Sequence, residues 1–172
     1  VWIENVSRDD VQLGRHRFPG LDNSMLIQIG DPCGEFPTPL HQFGEIHRFE
    51  FLDLEKHEMS EADEFKITQE QAEQLVALLA RAVCGEMNVV AHCTAGVCRS
   101  GAVADVAVEY FGFEDAGAYR SPNLLVKHRM LKALGISFDA DETHYAYHYG
   151  EPIPYVGNDG SGNLVVYPPK NK

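Results

Sequence analysis

Positive charge is scarce in this chain: 14 Lys and Arg stand against 26 Asp and Glu, a formal net charge of −12. That balance argues against non-specific nucleic-acid binding and against docking on an anionic membrane, both of which need basic patches. Any anion site must therefore draw its positive field from a few local groups. No apolar run approaches the ~20 residues of a membrane-spanning helix, and no signal-peptide pattern opens the sequence. The four cysteines follow no regular framework, which excludes a disulfide-stapled scaffold and reads as a reducing, cytoplasmic setting. Internal repeats are also lacking. What remains is ordinary apolar content in 172 residues, enough for one self-contained core.

Against that background one stretch stands out, Asn88 to Gly101, with the sequence NVVAHCTAGVCRSG. Val89, Val90 and Ala91 form a short apolar run of buried-strand type, and Gly101 to Phe111 has the apolar pattern of a helix. Residues 92–100 are then the turn between them. A loop that opens a helix directs successive backbone N–H groups inward and makes a nest for an anion. Cys93 lies at its base, where the helix dipole, the loop amides and Arg99 favour thiolate over thiol. Arg99, six positions on, has a planar guanidinium that grips two phosphate oxygens at once. Ser100 is placed to donate to the Cys93 sulfur, and Gly96 lets the backbone turn where a Cβ would obstruct it.

His92-Cys93-Thr94-Ala95-Gly96-Val97-Cys98-Arg99-Ser100 resembles the HCxxGxxR(S/T) signature of cysteine-dependent phosphatases, the protein tyrosine and dual-specificity class. The likeness runs from about Phe49 to Leu134 and is nearest to small bacterial and phage-type members. It implies a phosphomonoester hydrolase working through a phosphocysteine, with Cys93 as nucleophile and Arg99 and the N–H groups of Thr94, Ala95, Gly96, Val97 and Cys98 on the phosphate. His92 and Ser100 support the loop, and no metal or other cofactor is needed. Members of the class also carry an Asp on a loop roughly thirty residues before the cysteine, as proton donor to the leaving group. Asp63 lies thirty residues before Cys93 and is the first choice. Glu61 is nearby, and Asp53 ends the preceding strand in a segment that resembles the family's strand-end Asp.

Taken in order, Val1 to Val6 reads as a first strand, with Ser7 capping a short helix through Arg15. Met25 to Ile29 is a second strand, stopped by Gly30-Asp31-Pro32, and 33–39 is loop. His47 to Leu54 reads as a strand buried on both sides. The segment 55–66 reads as an exposed acidic loop. Thr68 and Gln71 form a capping box for a helix whose apolar face holds Ala72, Leu75, Val76, Leu79, Ala82 and Val83, closed by Gly85 at C′. Gly112 ends the catalytic helix likewise. Ser121 and Pro122 read as cap and first turn of a last helix to Leu134, stopped by Gly135. Asn123 beside them resembles a Pro-Asn pair of related bacterial sequences, which implies a brace for the active loop, and plain helix initiation explains it as well. Strands alternating with helices predict an α/β three-layer sandwich with a mostly parallel central sheet, the fold that the resemblance also implies. Residues 1–136 form the phosphatase domain, and 137–172 an extension, either a hairpin or a mobile tail.

Val97 and Cys98 leave the loop without the lysines of inositide phosphatases, and Ala95 stands where RNA triphosphatases carry a second His. The expected substrate is a phosphorylated protein or small phosphomonoester, with neither nucleic acid nor membrane as partner. Other readings are a non-catalytic phosphate-binding module and an RNA or phosphoinositide phosphatase of the same superfamily. Cys98 could form a disulfide with Cys93 under peroxide, with Cys33 and Cys84 as other resolving thiols. His144 and His148 have helical metal-ligand spacing, but the intervening tyrosines fit a strand equally well.

Overall fold

The computed structural model describes residues 1–17, 20–54, 63–117, 119–136, 155–158 and 164–167. In chain order these form β1 (Trp2–Ser7), α1 (Arg8–Leu13), β2 (Ser24–Gly30), β3 (Glu45–Glu50), a 3-10 turn (Asp63–Phe65), α2 (Gln69–Cys84), β4 (Asn88–Cys93), α3 (Arg99–Phe111), β5 (Glu114–Asp115), α4 (Leu124–Ala133), β6 (Tyr155–Asn158) and β7 (Leu164–Tyr167). The first five strands build one sheet in the order β3-β2-β4-β1-β5, and every pairing in it is parallel. The α/β class and the parallel sheet expected from the sequence are therefore present, with three strands before β4, the strand that leads into the Cys93 loop.

Period-two alternation divides the side chains between two cores. Ile3, Met25, Ile27, Ile29, Val89 and Ala91 face α2, α3 and α4, whereas Val6, Leu26 and Val90 face α1 and Phe43. Cys93 ends β4 on the larger-core face, and the preceding His92 turns to the other. Parallel strands each need a crossover, so their carboxyl ends lie at one edge, where β1, β2 and β4 deliver Ser7, Gly30 and Cys93 together.

Local chemistry sets the helix starts as expected for α1 and α2. Ser7 and Asp10 form a reciprocal capping box, as do Thr68 and Gln71. Three boundaries differ from the sequence reading. The third strand stops at Glu50 and lies at the sheet edge, so it is not buried on both sides: Phe49 is buried, but Ile46 is 40% exposed. Gly85 caps α2 with φ −91°, and the left-handed position falls on Glu86. The cap of α4 is Asn123 rather than Ser121, because its side chain accepts from the Val126 N–H at 3.0 Å. In the C-terminal segment β6 and β7 pair antiparallel, Tyr155 opposite Tyr167.

On the side of α3 away from the loop, Lys127 of α4 pairs with Asp105 and lies 3.3 Å from Glu109. Burial pushes Glu109 up to about 7; the Asp105 charge adds to this and the Lys127 charge opposes it. The folded chain thus holds a proton on Glu109 over a pH range where the unfolded chain has released it, so stability falls as pH rises from about 4.5 to 7. In urea titrations across that range Glu109→Gln is expected to flatten this fall by on the order of 1 kcal/mol, and an unchanged slope would count against it.

Candidate active site

The segment between β4 and α3 is held from outside by its carbonyl groups. The Thr94 carbonyl accepts from the Arg8 N–H (3.2 Å), Val97 from the Ser121 N–H (3.2 Å), and Cys98 from the N–H groups of Ala102 (2.8 Å) and Asn123 (3.0 Å). The Gly96 carbonyl accepts from the buried amide of Asn5 at 2.7 Å. With these carbonyls engaged outward, the N–H groups of Thr94, Ala95, Gly96 and Val97 donate to nothing among the described residues. Four consecutive unfilled donors at the start of a helix are a preorganised anion nest. Gly96 makes it possible. Its φ is +77°, and a Cβ there would stand 2.4 Å from the Val6 carbonyl carbon and 2.5 Å from the Ser7 nitrogen. β1 therefore presses against the loop's outer wall and leaves no room for a side chain.

Cys93 lies at the base of the nest, 1% exposed, and the Ser100 hydroxyl donates to its sulfur at 3.3 Å. All four cysteines are unbonded. Arg99 is buried and held from three directions. Its Nη1 donates to the Asp31 carboxylate and to the Phe51 carbonyl, each at 2.7 Å, and its Nη2 donates to the Thr94 hydroxyl at 3.1 Å. Nε has no hydrogen-bond partner among the described residues; an Asp53 oxygen stands 3.9 Å away. The Nη1 corner is thus anchored to protein, while Nε leaves the side-on edge with a donor to offer an oxyanion.

His92 is kept neutral. Burial, aided by the nearby Arg8 and Arg99 charges, lowers it to about 4 against a weak opposing hydrogen bond to the Cys93 carbonyl. Because that carbonyl only accepts, Nδ1 carries the proton at 3.4 Å, and Nε2 is left buried without a partner. His92 therefore adds no charge to the loop and orients it through a polar contact.

Of the three acids considered, Asp53 is the one whose carboxylate is seen beside the loop. One of its oxygens accepts from Asn123 Nδ2 at 2.7 Å, and the same nitrogen donates to the Leu54 carbonyl at 3.2 Å. Asp63 opens the 3-10 turn, but its side chain, like the whole of Glu61, lies outside the described residues, as do His144 and His148. Asn123 joins three jobs in one side chain, since it caps α4, fixes Asp53 and, through its backbone N–H, holds the Cys98 carbonyl. Sequence reasoning missed Asn5, Asp31 and Arg8. Asp31 had a visible cue, a carboxylate directly after the strand beside β4. Asn5 offered a weaker one, a polar residue on the β1 face that carries the core residue Ile3.

Gly96→Ala is expected to destabilise the fold by about 3 kcal/mol, from left-handed strain plus the clash with β1. Urea denaturation measures it, and a change below about 1 kcal/mol would mean that the loop relaxes freely. His92 lowers acid stability in the opposite sense to Glu109: the unfolded chain binds its proton between about 4 and 6.5, so stability is lost as pH falls through that window. His92→Gln is expected to remove part of that acid limb in the same titrations. No protein-family model matches this chain, and no curated protein does.

Proposed function

We propose that the chain is a cysteine-dependent phosphomonoester hydrolase of the protein tyrosine and dual-specificity phosphatase type, with the fold of that family, acting in the cytoplasm on a phosphorylated protein or a small phosphomonoester. The observation that carries this reading is the set of four undonated N–H groups, Thr94 to Val97, arranged around a cysteine whose sulfur is hydrogen-bonded by Ser100. A structural turn has no need of such an arrangement, because unfilled donors cost stability unless water or an anion fills them. The chain's net charge of −12 makes the local nest and Arg99 the natural source of the field that draws a phosphate in.

The chemistry follows from the placement of the groups. The Cys93 sulfur attacks phosphorus in line with the departing oxygen, while the loop N–H groups and the free edge of Arg99 take up the equatorial oxygens. The P–O bond to the leaving group breaks as the S–P bond forms, and a positioned acid supplies the proton that a phenolate or alkoxide needs. We assign that acid to Asp53, whose carboxylate stands near Arg99 Nε and is steadied by Asn123. Water then attacks the phosphocysteine. The carboxylate of Asp53 accepts its proton, and the Ser100 hydroxyl stabilises the returning sulfur anion. Among the described residues no helix is long and apolar enough to cross a membrane, and no three potential metal ligands cluster.

The test is hydrolysis of 4-nitrophenyl phosphate without added metal. Cys93→Ser is expected to reduce turnover on the order of 10³-fold or more, and binding of phosphate without turnover by folded, reduced wild type would favour a binding module instead. Asp53→Asn is expected to slow phenyl phosphate, a poor leaving group, about tenfold more than 4-nitrophenyl phosphate. Equal losses on the two substrates, or the unequal loss appearing instead in Asp63→Asn, would remove Asp53 from this role.

A further inference from the structure

Beside the active loop lies a cavity of about 70 Å³ that the chemistry above does not use. About 10–15 Å³ admits one water, so it has room for a polyatomic group. Thr94 and His92 line the side toward the loop, Asp31 and Glu35 lie at another, Ile29 and Phe36 supply apolar surface, and Arg8 completes the wall. Asp31 and Thr94, which line this cavity, also hold the Arg99 guanidinium, so the cavity adjoins the cation that serves the nest.

Two polar groups in it lack partners. The Arg8 guanidinium makes no ion pair and no hydrogen bond among the described residues, although its charge is felt at His92. Arg15, Arg81, Arg99 and Arg120 have carboxylate partners, and Arg17 and Arg48 lie over the Trp2 and Phe36 rings, whereas Arg8 has neither kind of contact among the described residues. The second group is His92 Nε2, a lone pair on a side chain only 2% exposed, with no donor to meet it. The Arg8 backbone N–H donates to the Thr94 carbonyl, so the base of this side chain is tied to the active loop.

We propose that this cavity is a subsite for a second phosphate on the substrate, with Arg8 as the residue that selects it. The inference rests on the phosphatase reading and deepens it. An occupant must offer Arg8 a negative oxygen and offer His92 Nε2 a proton. A phosphate monoester in its singly protonated form carries both on one centre, whereas a carboxylate carries only the first. The nearby Asp31 and Glu35 charges favour the singly charged form over the doubly charged one. The substrate is then a molecule with two phosphates close together, one cleaved in the nest and one held by Arg8.

Binding separates this claim from catalysis. Titration calorimetry on the Cys93→Ser protein compares phenyl phosphate, the three isomeric benzene bisphosphates and the carboxyphenyl phosphates. At least one bisphosphate is expected to bind about tenfold more tightly than phenyl phosphate, the worth of one charge-assisted hydrogen bond. That ratio is expected to fall to about two, the statistical factor, when Arg8→Ala is added, and to be partly restored by Arg8→Lys, with thermal melts confirming that each variant is folded. No bisphosphate preference, a preference that survives Arg8→Ala, or carboxyphenyl phosphates binding as well as bisphosphates would overturn the assignment. If Arg8-dependent preference is found while wild type fails to turn over 4-nitrophenyl phosphate, the subsite stands and the hydrolase reading falls.

Discussion

A buried guanidinium is the constraint from which the rest of the site follows. Arg99 is 3% exposed, and a charge so far from water is tolerated only when acceptors surround it. Those acceptors come from three distant parts of the chain: the carboxylate after β2, the carbonyl after β3 and the hydroxyl of Thr94. Satisfying one side chain therefore draws the ends of two strands to the loop that follows a third. Arg99 Nε is left without a hydrogen-bond partner among the described residues, with an Asp53 oxygen 3.9 Å away.

The nest depends on a complementary device. Rather than relying on its own rigidity, the loop is fixed by donors applied to the back of its peptide groups, from Arg8 and Asn5 on one side and from Ser121 and Asn123 on the other. Each outward bond to a carbonyl orients the following N–H inward. Preorganisation of this kind places donors before an anion arrives, so little reorganisation is needed to bind one. Arg120 extends the support, since it reaches the Asn5 side chain while paired with Asp105 and Asp115. The charged cluster behind α3 is thus continuous with the loop's outer wall.

The parts of this arrangement that were legible in the sequence are those whose cause is local. A capping pair such as Thr68 and Gln71 announces a helix within four residues, and the apolar face of α2 repeats at helical spacing. The loop itself was readable because Cys93, Gly96, Arg99 and Ser100 act within one turn. The supports were not, because they come from far along the chain: Asn5 and Gly96 are 91 positions apart, Arg99 and Asp31 are 68, and Asn123 and Asp53 are 70. Spacing pointed to Asp63 as the acid, whose side chain lies outside the described residues; Asp53, from far back in the chain, stands 3.9 Å from Arg99 Nε. The reading of β3 as doubly buried failed on a related point. Its second apolar face was to come from Leu52 and Leu54, but the strand ends at Glu50 and the face that carries Ile46 and Arg48 is exposed.

The proposed mechanism passes a phosphoryl group through Cys93. Rapid acid quenching of wild type and Ser100→Ala during turnover of an aryl phosphate, followed by peptide mass mapping, looks for it there. A phosphoryl group on the Cys93 peptide is expected, accumulating more in Ser100→Ala because the sulfur leaves more slowly without its hydrogen bond. Turnover with no phosphocysteine in either protein, or a phosphoryl group on another residue, would contradict it.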